Sequence, residues 1–129
     1  MLLLTEKHTK RILVVDDVAD NLFLVQFFLE TQGYTVNTAE SGAAALDRIE
    51  TELVKPDLIF LDLMMPRMNG YEVINHLRNH QDLLNIPILL MTADISVSDQ
   101  KAKNVGADGI LYKPLDLEQI LTRVESFST

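Results

Sequence analysis

Cysteine is absent from the 129 residues, and with it go disulfides, thiolate nucleophiles, iron–sulfur clusters and thiolate zinc sites. A cytosolic redox setting follows, and any metal must bind oxygen or imidazole. Basic residues are in deficit: 11 Lys plus Arg face 19 Asp plus Glu, a formal net charge of -8. Such a surface on average repels phosphate backbones, which argues against a nucleic-acid-binding domain and disfavours docking on an anionic membrane. No stretch approaches the ~20 consecutive apolar residues of a membrane span, and the run Met1 to Leu4 is far shorter than the apolar region of a signal peptide. Tryptophan, glycine-rich phosphate loops, internal repeats, low-complexity tracts and interdomain linkers are missing as well. The expectation is one soluble, cytoplasmic globular domain, with 47% hydrophobic residues to build its core.

What is present is a regular alternation. Four short apolar runs bounded by polar or turn residues read as buried strands, Ile12 to Val15, Leu58 to Leu61, Ile88 to Met91 and Ile110 to Tyr112, and a weaker run, Tyr34 to Ala39, makes a fifth. Between and after them lie segments with helical spacing. Leu22, Val25 and Leu29 share a face in the first, Ala45, Ile49 and Leu53 in the second, and Val73, Ile74 and Leu77 in the third. Leu117, Ile120, Leu121 and Val124 share a face in the fifth. The fourth segment, from about Val97 to Val105, is the most polar; Ser96 with Asp99 resembles a capping box at its start, and Asp116 with Gln119 has the same spacing before the fifth. Gly33 can supply the left-handed residue that ends the first helix. Strands apolar throughout, alternating with helices, predict an α/β doubly wound five-stranded parallel sheet with helices on both faces.

In an open α/β sheet the ligand site lies beyond the carboxyl ends of the strands. Those ends carry Asp16 and Asp17 after the first strand, Asp62 after the third, Thr92 and Ala93 after the fourth, and Lys113 and Pro114 after the fifth. Any single polar residue there is explained by water or capping. Three carboxylates brought together repel one another, and their convergence makes sense once a cation sits among them. All-oxygen donors point to Mg²⁺, or Mn²⁺ in its place. A carboxylate beside such a cation, with a Lys and a Thr opposite, has the parts for phosphoryl transfer to Asp.

These pieces, Ile12-Leu13-Val14-Val15-Asp16-Asp17, Asp62-Leu63-Met64-Met65-Pro66-Arg67-Met68-Asn69-Gly70, Met91-Thr92-Ala93 and Gly106-Ala107-Asp108-Gly109-Ile110-Leu111-Tyr112-Lys113-Pro114, together strongly resemble the receiver domain of two-component response regulators (CheY-like). The match covers about residues 10 to 126, leaving 1–9 as an N-terminal extension and 127–129 as a tail. The resemblance implies a flavodoxin-like fold with strand order 2-1-3-4-5, and Asp62 as the residue that accepts a phosphoryl group from a histidine kinase or histidine phosphotransfer protein. It further implies Asp17 as a direct Mg²⁺ ligand, Asp16 acting through metal-bound water, the Met64 backbone carbonyl completing the protein's share, and Thr92 and Lys113 on the phosphoryl oxygens. The Lys113–Pro114 bond is cis in the family. Ala93 leaves room for the phosphoryl group, and Gly70 is expected to give backbone freedom where the third helix opens. Asn21 matches a common family residue and reads equally well as a surface polar residue. One departure is Ile110, which stands where receivers usually carry the aromatic of a rotamer switch. Tyr112 lies on the same side of the strand by the pleat period and reads first as a packed edge aromatic, with a displaced reporter as the alternative.

The implied function is a phosphorylation-controlled switch that catalyses its own phosphorylation and autodephosphorylation without being an enzyme of the usual kind. It would signal by protein contact through the fourth helix, fifth strand and fifth helix, as a stand-alone monomer or a phosphorylation-dependent dimer. A phosphate sink, or a receiver excised from a larger regulator or hybrid kinase, is the alternative. A flavin mononucleotide site is disfavoured by Asp16-Asp17-Val18 where a phosphate loop would lie, and a haloacid-dehalogenase-type phosphatase by the position of the nucleophile after the third strand. His76 and His80 lack a third metal ligand; Met64, Met65 and Met68 read as gap filling, and Lys101 and Lys103 as solvated.

Overall fold

A computed structural model describes residues 10–127. Five strands and five helices alternate: β1 (Arg11–Val15), α1 (Ala19–Thr31), β2 (Thr35–Ala39), α2 (Gly42–Thr51), β3 (Leu58–Asp62), α3 (Gly70–Arg78), β4 (Ile88–Thr92), α4 (Asp99–Asn104), β5 (Gly109–Tyr112) and α5 (Leu117–Ser126). The strands pair in parallel in the order β2-β1-β3-β4-β5, as expected.

The pleat explains why the inner strands carry unbroken apolar runs, while the edge strand β2 keeps polar Thr35, Asn37 and Thr38. Leu13, Val15, Ile59, Leu61, Ile88, Leu90 and Ile110 point into one core, which α2, α3 and α4 close. Ile12, Val14, Leu58, Phe60, Leu89, Met91 and Leu111 point into the other, beneath α1 and α5. A half-exposed sheet would place a polar residue at every second position, and along β1, β3 and β4 both faces are covered instead.

Helix ends follow local chemistry. Gly33 at φ 95 ends α1 in a Schellman motif, with Gly33 N–H donating to Glu30 O and Tyr34 N–H to Leu29 O. Asn69 and Glu72 form a reciprocal capping box on α3, and Asp116 caps α5 by accepting from Glu118 N–H, one residue earlier than the spacing to Gln119 suggested.

Two local expectations change. The cap of α4 is Ser98, which accepts from Lys101 N–H at 3.0 Å, because Ser96 is already engaged: its hydroxyl and its N–H both donate to Asp94 Oδ1, at 2.6 and 2.9 Å. The helix therefore starts later than Val97. Leu53 is 99% exposed and lies beyond α2, where the Lys55 ammonium donates to the carbonyls of Ile49 in the last turn and of the C-cap residue Glu52; Leu46 is the helix's buried leucine. A spacing rule cannot place a residue on a helix face once the helix has stopped.

Candidate functional site

Register assembles the site before any side chain is considered. Val15 pairs with Leu61, so the following residues, Asp16 and Asp62, are lateral neighbours. Asp62 pairs with Met91 and Thr92 with Tyr112, which sets Thr92 and Lys113 one and two strands away at the same edge. Asp16, Asp62 and Thr92 are buried, at 1%, 4% and 0% exposure, and Asp17 is exposed.

Carboxylate oxygens of Asp16, Asp17 and Asp62 all lie within 4.8 Å of one another. Lys113 Nζ bridges the two buried acids, 3.1 Å from Asp16 Oδ2 and 3.4 Å from Asp62 Oδ2. Asp16 Oδ1 accepts from Val18 N–H at 2.9 Å, and its Oδ2 accepts from the Asn21 amide at 3.2 Å. Met64 N–H approaches Asp62 Oδ1 at 3.4 Å. Burial first and the Asp16 charge second push the Asp62 carboxyl up to about 6, against the pull of Lys113 and Met64 N–H. One ammonium does not neutralise three acids, and the donors are hard oxygens on a part-open edge, a set suited to a divalent cation such as Mg²⁺.

Thr92 Oγ1 accepts from Asp94 N–H at 3.0 Å, which ties the strand end to the β4–α4 loop. Ala93 is exposed beside it, and the Lys113–Pro114 bond is cis. Ile110 is buried in the α2–α3–α4 core. Tyr112 is 37% exposed, and its hydroxyl donates to Val97 O at 2.5 Å, so the ring is tethered to the same loop as Thr92 rather than merely packed at the edge. The side chain of Met64 is 67% exposed, whereas Met65 is buried and Met68 packs against the core. His80 stands 3.9 Å from Glu50, and among the described residues only the three aspartates form a metal-ligand cluster. Lys101 stacks over Tyr71 at 5.8 Å.

Gly70 is needed for a reason other than backbone freedom. Its φ is not left-handed; a Cβ there would stand 2.9 Å from both the Asp62 carbonyl oxygen and Leu63 Cα. Gly70 N–H donates to Leu63 O at 2.8 Å, so the close approach fixes the start of α3 against the strand end that carries Asp62. Gly70→Ala is expected to cost about 2 kcal/mol by overpacking against backbone that cannot move aside. Urea unfolding checks this, and a loss within about 0.5 kcal/mol would remove the steric account.

Asn21 is the residue that sequence reasoning left undecided. Its spacing from Asp16 is visible in the chain, but only the path of the first turn of α1 shows that the amide reaches the carboxylate.

The family model described as response regulator receiver domain matches residues 12–125. The chain is 43% identical over 118 residues to the alkaline phosphatase synthesis transcriptional regulatory protein PhoP of Bacillus subtilis, covering 91% of this chain and 48% of that protein. It is 43% identical over 117 residues to response regulator MprA of Mycobacterium avium, covering 90% and 50%. It thus spans about half the length of the curated relatives it matches. Among solved structures, the chemotaxis response regulator CheY4 of Vibrio cholerae superposes with a TM-score of 0.85 at 32% identity, over 93% of this chain and 99% of that one. A two-component response regulator from Clostridium difficile gives 0.82 at 30% identity, over 92% and 95%. With this fold, this edge of carboxylates and these relatives, the chain belongs to the response regulator receiver domain family.

Proposed function

We propose that Asp62 is the phosphoacceptor, that Asp16, Asp17, Asp62 and the Met64 carbonyl hold Mg²⁺, and that Thr92 and Lys113 bind the transferred group. The observation that carries this reading is the bridge of Lys113 between Asp16 and Asp62 inside a cluster of three carboxylates. When bound, Mg²⁺ would supply positive charge to the phosphoryl oxygens. The Asp62 carboxylate oxygen attacks phosphorus in line; the new bond is O–P, and the bond from phosphorus to the donor breaks. With a phosphohistidine donor that bond is N–P, and the freed ring nitrogen takes up a proton. Lys113, already in contact with Asp62, meets the new negative charge, and the Thr92 hydroxyl offers its proton to another oxygen. No separate base is needed, because the nucleophile is an anion at neutral pH, above its value of about 6.

The donor is a histidine kinase or histidine phosphotransfer protein. Val18, Phe23 and Phe27, exposed around α1 with the two rings stacked at 6.1 Å, leave apolar surface near the carboxylates for that protein to cover. Output runs through α4, β5 and α5. Thr92 ends β4 and Lys113 follows β5, and both Thr92 and Tyr112 bond to the loop that leads into α4, so a shift of either is felt there.

The protein incubated with acetyl phosphate and Mg²⁺ is expected to gain the mass of one phosphoryl group. With EDTA, or in Asp62→Asn, it should gain none. No gain in the wild type, or gain that survives Asp62→Asn, refutes the assignment.

A further inference from the structure

We propose that Asn21 is a positioning residue that holds the Asp16 carboxylate in place for Mg²⁺. The proposal rests on the reading of Asp16, Asp17 and Asp62 as the Mg²⁺ site.

Asp16 is 1% exposed, so its carboxylate must be oriented by protein donors rather than by bulk water. Three reach it: Val18 N–H on Oδ1 at 2.9 Å, and Asn21 Nδ2 at 3.2 Å and Lys113 Nζ at 3.1 Å on Oδ2. Of the two on Oδ2, Lys113 is shared with Asp62 at 3.4 Å. A phosphoryl group on Asp62 adds negative charge and strong acceptors, which draw the ammonium away from Asp16. Asn21 is the donor on that oxygen with no second carboxylate to serve.

Its chemistry suits the place. With the Lys113 ammonium already on this oxygen, a neutral amide orients the carboxylate without adding a second positive charge beside a divalent cation. Its location is fixed from below: Leu22 and Val25 on the same helix are buried in the α1–α5 core, so the first turn of α1 cannot roll Asn21 away from β1. The backbone N–H of the N-cap Val18, which a side chain at position 21 could have capped, is already donated to Asp16 Oδ1, and the Asn21 amide donates to Asp16 Oδ2.

The test is a Mg²⁺ titration without phosphodonor, followed by backbone amide NMR shifts, on the wild type, Asn21→Ala, Asp16→Asn and the double variant. Loss of a partner that orients a metal-site carboxylate is expected to weaken Mg²⁺ binding about tenfold in Asn21→Ala. In the Asp16→Asn background the same substitution should change affinity less than about twofold, because the charge it orients is gone. Asn21→Ser, which keeps a polar first-turn residue with a shorter reach, should behave as Asn21→Ala does, and it serves as the second probe of the contact. Unchanged affinity in Asn21→Ala and Asn21→Ser overturns the proposal. So does an equal loss in both Asp16 backgrounds, which would mark a purely structural effect of α1. A wild type that binds no Mg²⁺ overturns the site reading itself, and the proposal with it.

Discussion

Asp62→Asn is expected to make the metal-free protein more stable at pH 7 while abolishing phosphoryl uptake. The carboxyl is buried at 4% exposure, and burial, followed by repulsion from Asp16, lifts it from 3.8 to about 6. The native state therefore holds this proton more tightly than the unfolded chain does. Between 3.8 and about 6 folding takes up protons, so stability falls as pH rises through that window and stays reduced above it. At about 1.36 kcal/mol per pKa unit, the strain reaches up to about 3 kcal/mol at neutral pH. Asn keeps the shape and cannot ionise, so it relieves the strain. Urea unfolding in EDTA should show the variant ahead at pH 7 and most of the difference gone near pH 4. Equal stability at pH 7 would show that Lys113 already neutralises the site. Mg²⁺ should close the gap from the other direction, by binding the native wild type.

That strain is also why so much of the site is legible in the chain. Each of Asp16, Asp17 and Asp62 follows an apolar run, and a parallel sheet with alternating helices leaves little choice about where the strand ends meet. The fold is legible for the same reason: with both faces of the sheet covered, β1, β3, β4 and β5 each carry an unbroken apolar run that needs no periodicity argument, whereas the edge strand β2, with Thr35, Asn37 and Thr38, is the weakest signal. What escapes are features set by where the chain turns. Ser96 and Ser98 are alike as residues, and only the Asx turn at Asp94 decides which one caps α4. Leu53 continues a helical spacing past the point where Lys55 closes the helix. Gly70 reads as a flexible residue until the Asp62 carbonyl is found where its side chain would be. Arg78 carries no signal at all, because three of its partners are carbonyls that any residue type supplies.

Arg78→Ala is expected to lower stability by about 3 kcal/mol, the cost of leaving several polar groups without their charged partner. The side chain, at the last residue of α3, is 21% exposed. Nε donates to Gly106 O, and Nη1 to Leu84 O and Ile86 O, each at 2.9 Å; Nη2 reaches Asp108 Oδ2 at 3.2 Å. The same Asp108 oxygen accepts from Ile88 N–H at 2.9 Å, so one guanidinium holds together the α3–β4 loop, the start of β4 and the loop between α4 and β5. Burial pulls the Arg78 pKa down from its ordinary value while Asp108 pulls it up, but a guanidinium keeps its proton at any pH a protein survives. Deletion therefore removes a full charge and its planar fork. Lys offers one point charge in place of that fork, so Arg78→Lys should recover little. Urea unfolding measures the loss, and hydrogen exchange should show the Ile88 and Asp108 amides opening first. A loss below about 1 kcal/mol, or a Lys variant as stable as the wild type, would mean that water replaces the guanidinium at these carbonyls. Arg78 touches none of the three carboxylates, so the folded fraction of Arg78→Ala should still accept a phosphoryl group from acetyl phosphate, separating the frame that carries α4 and β5 from the chemistry at the opposite edge of the sheet.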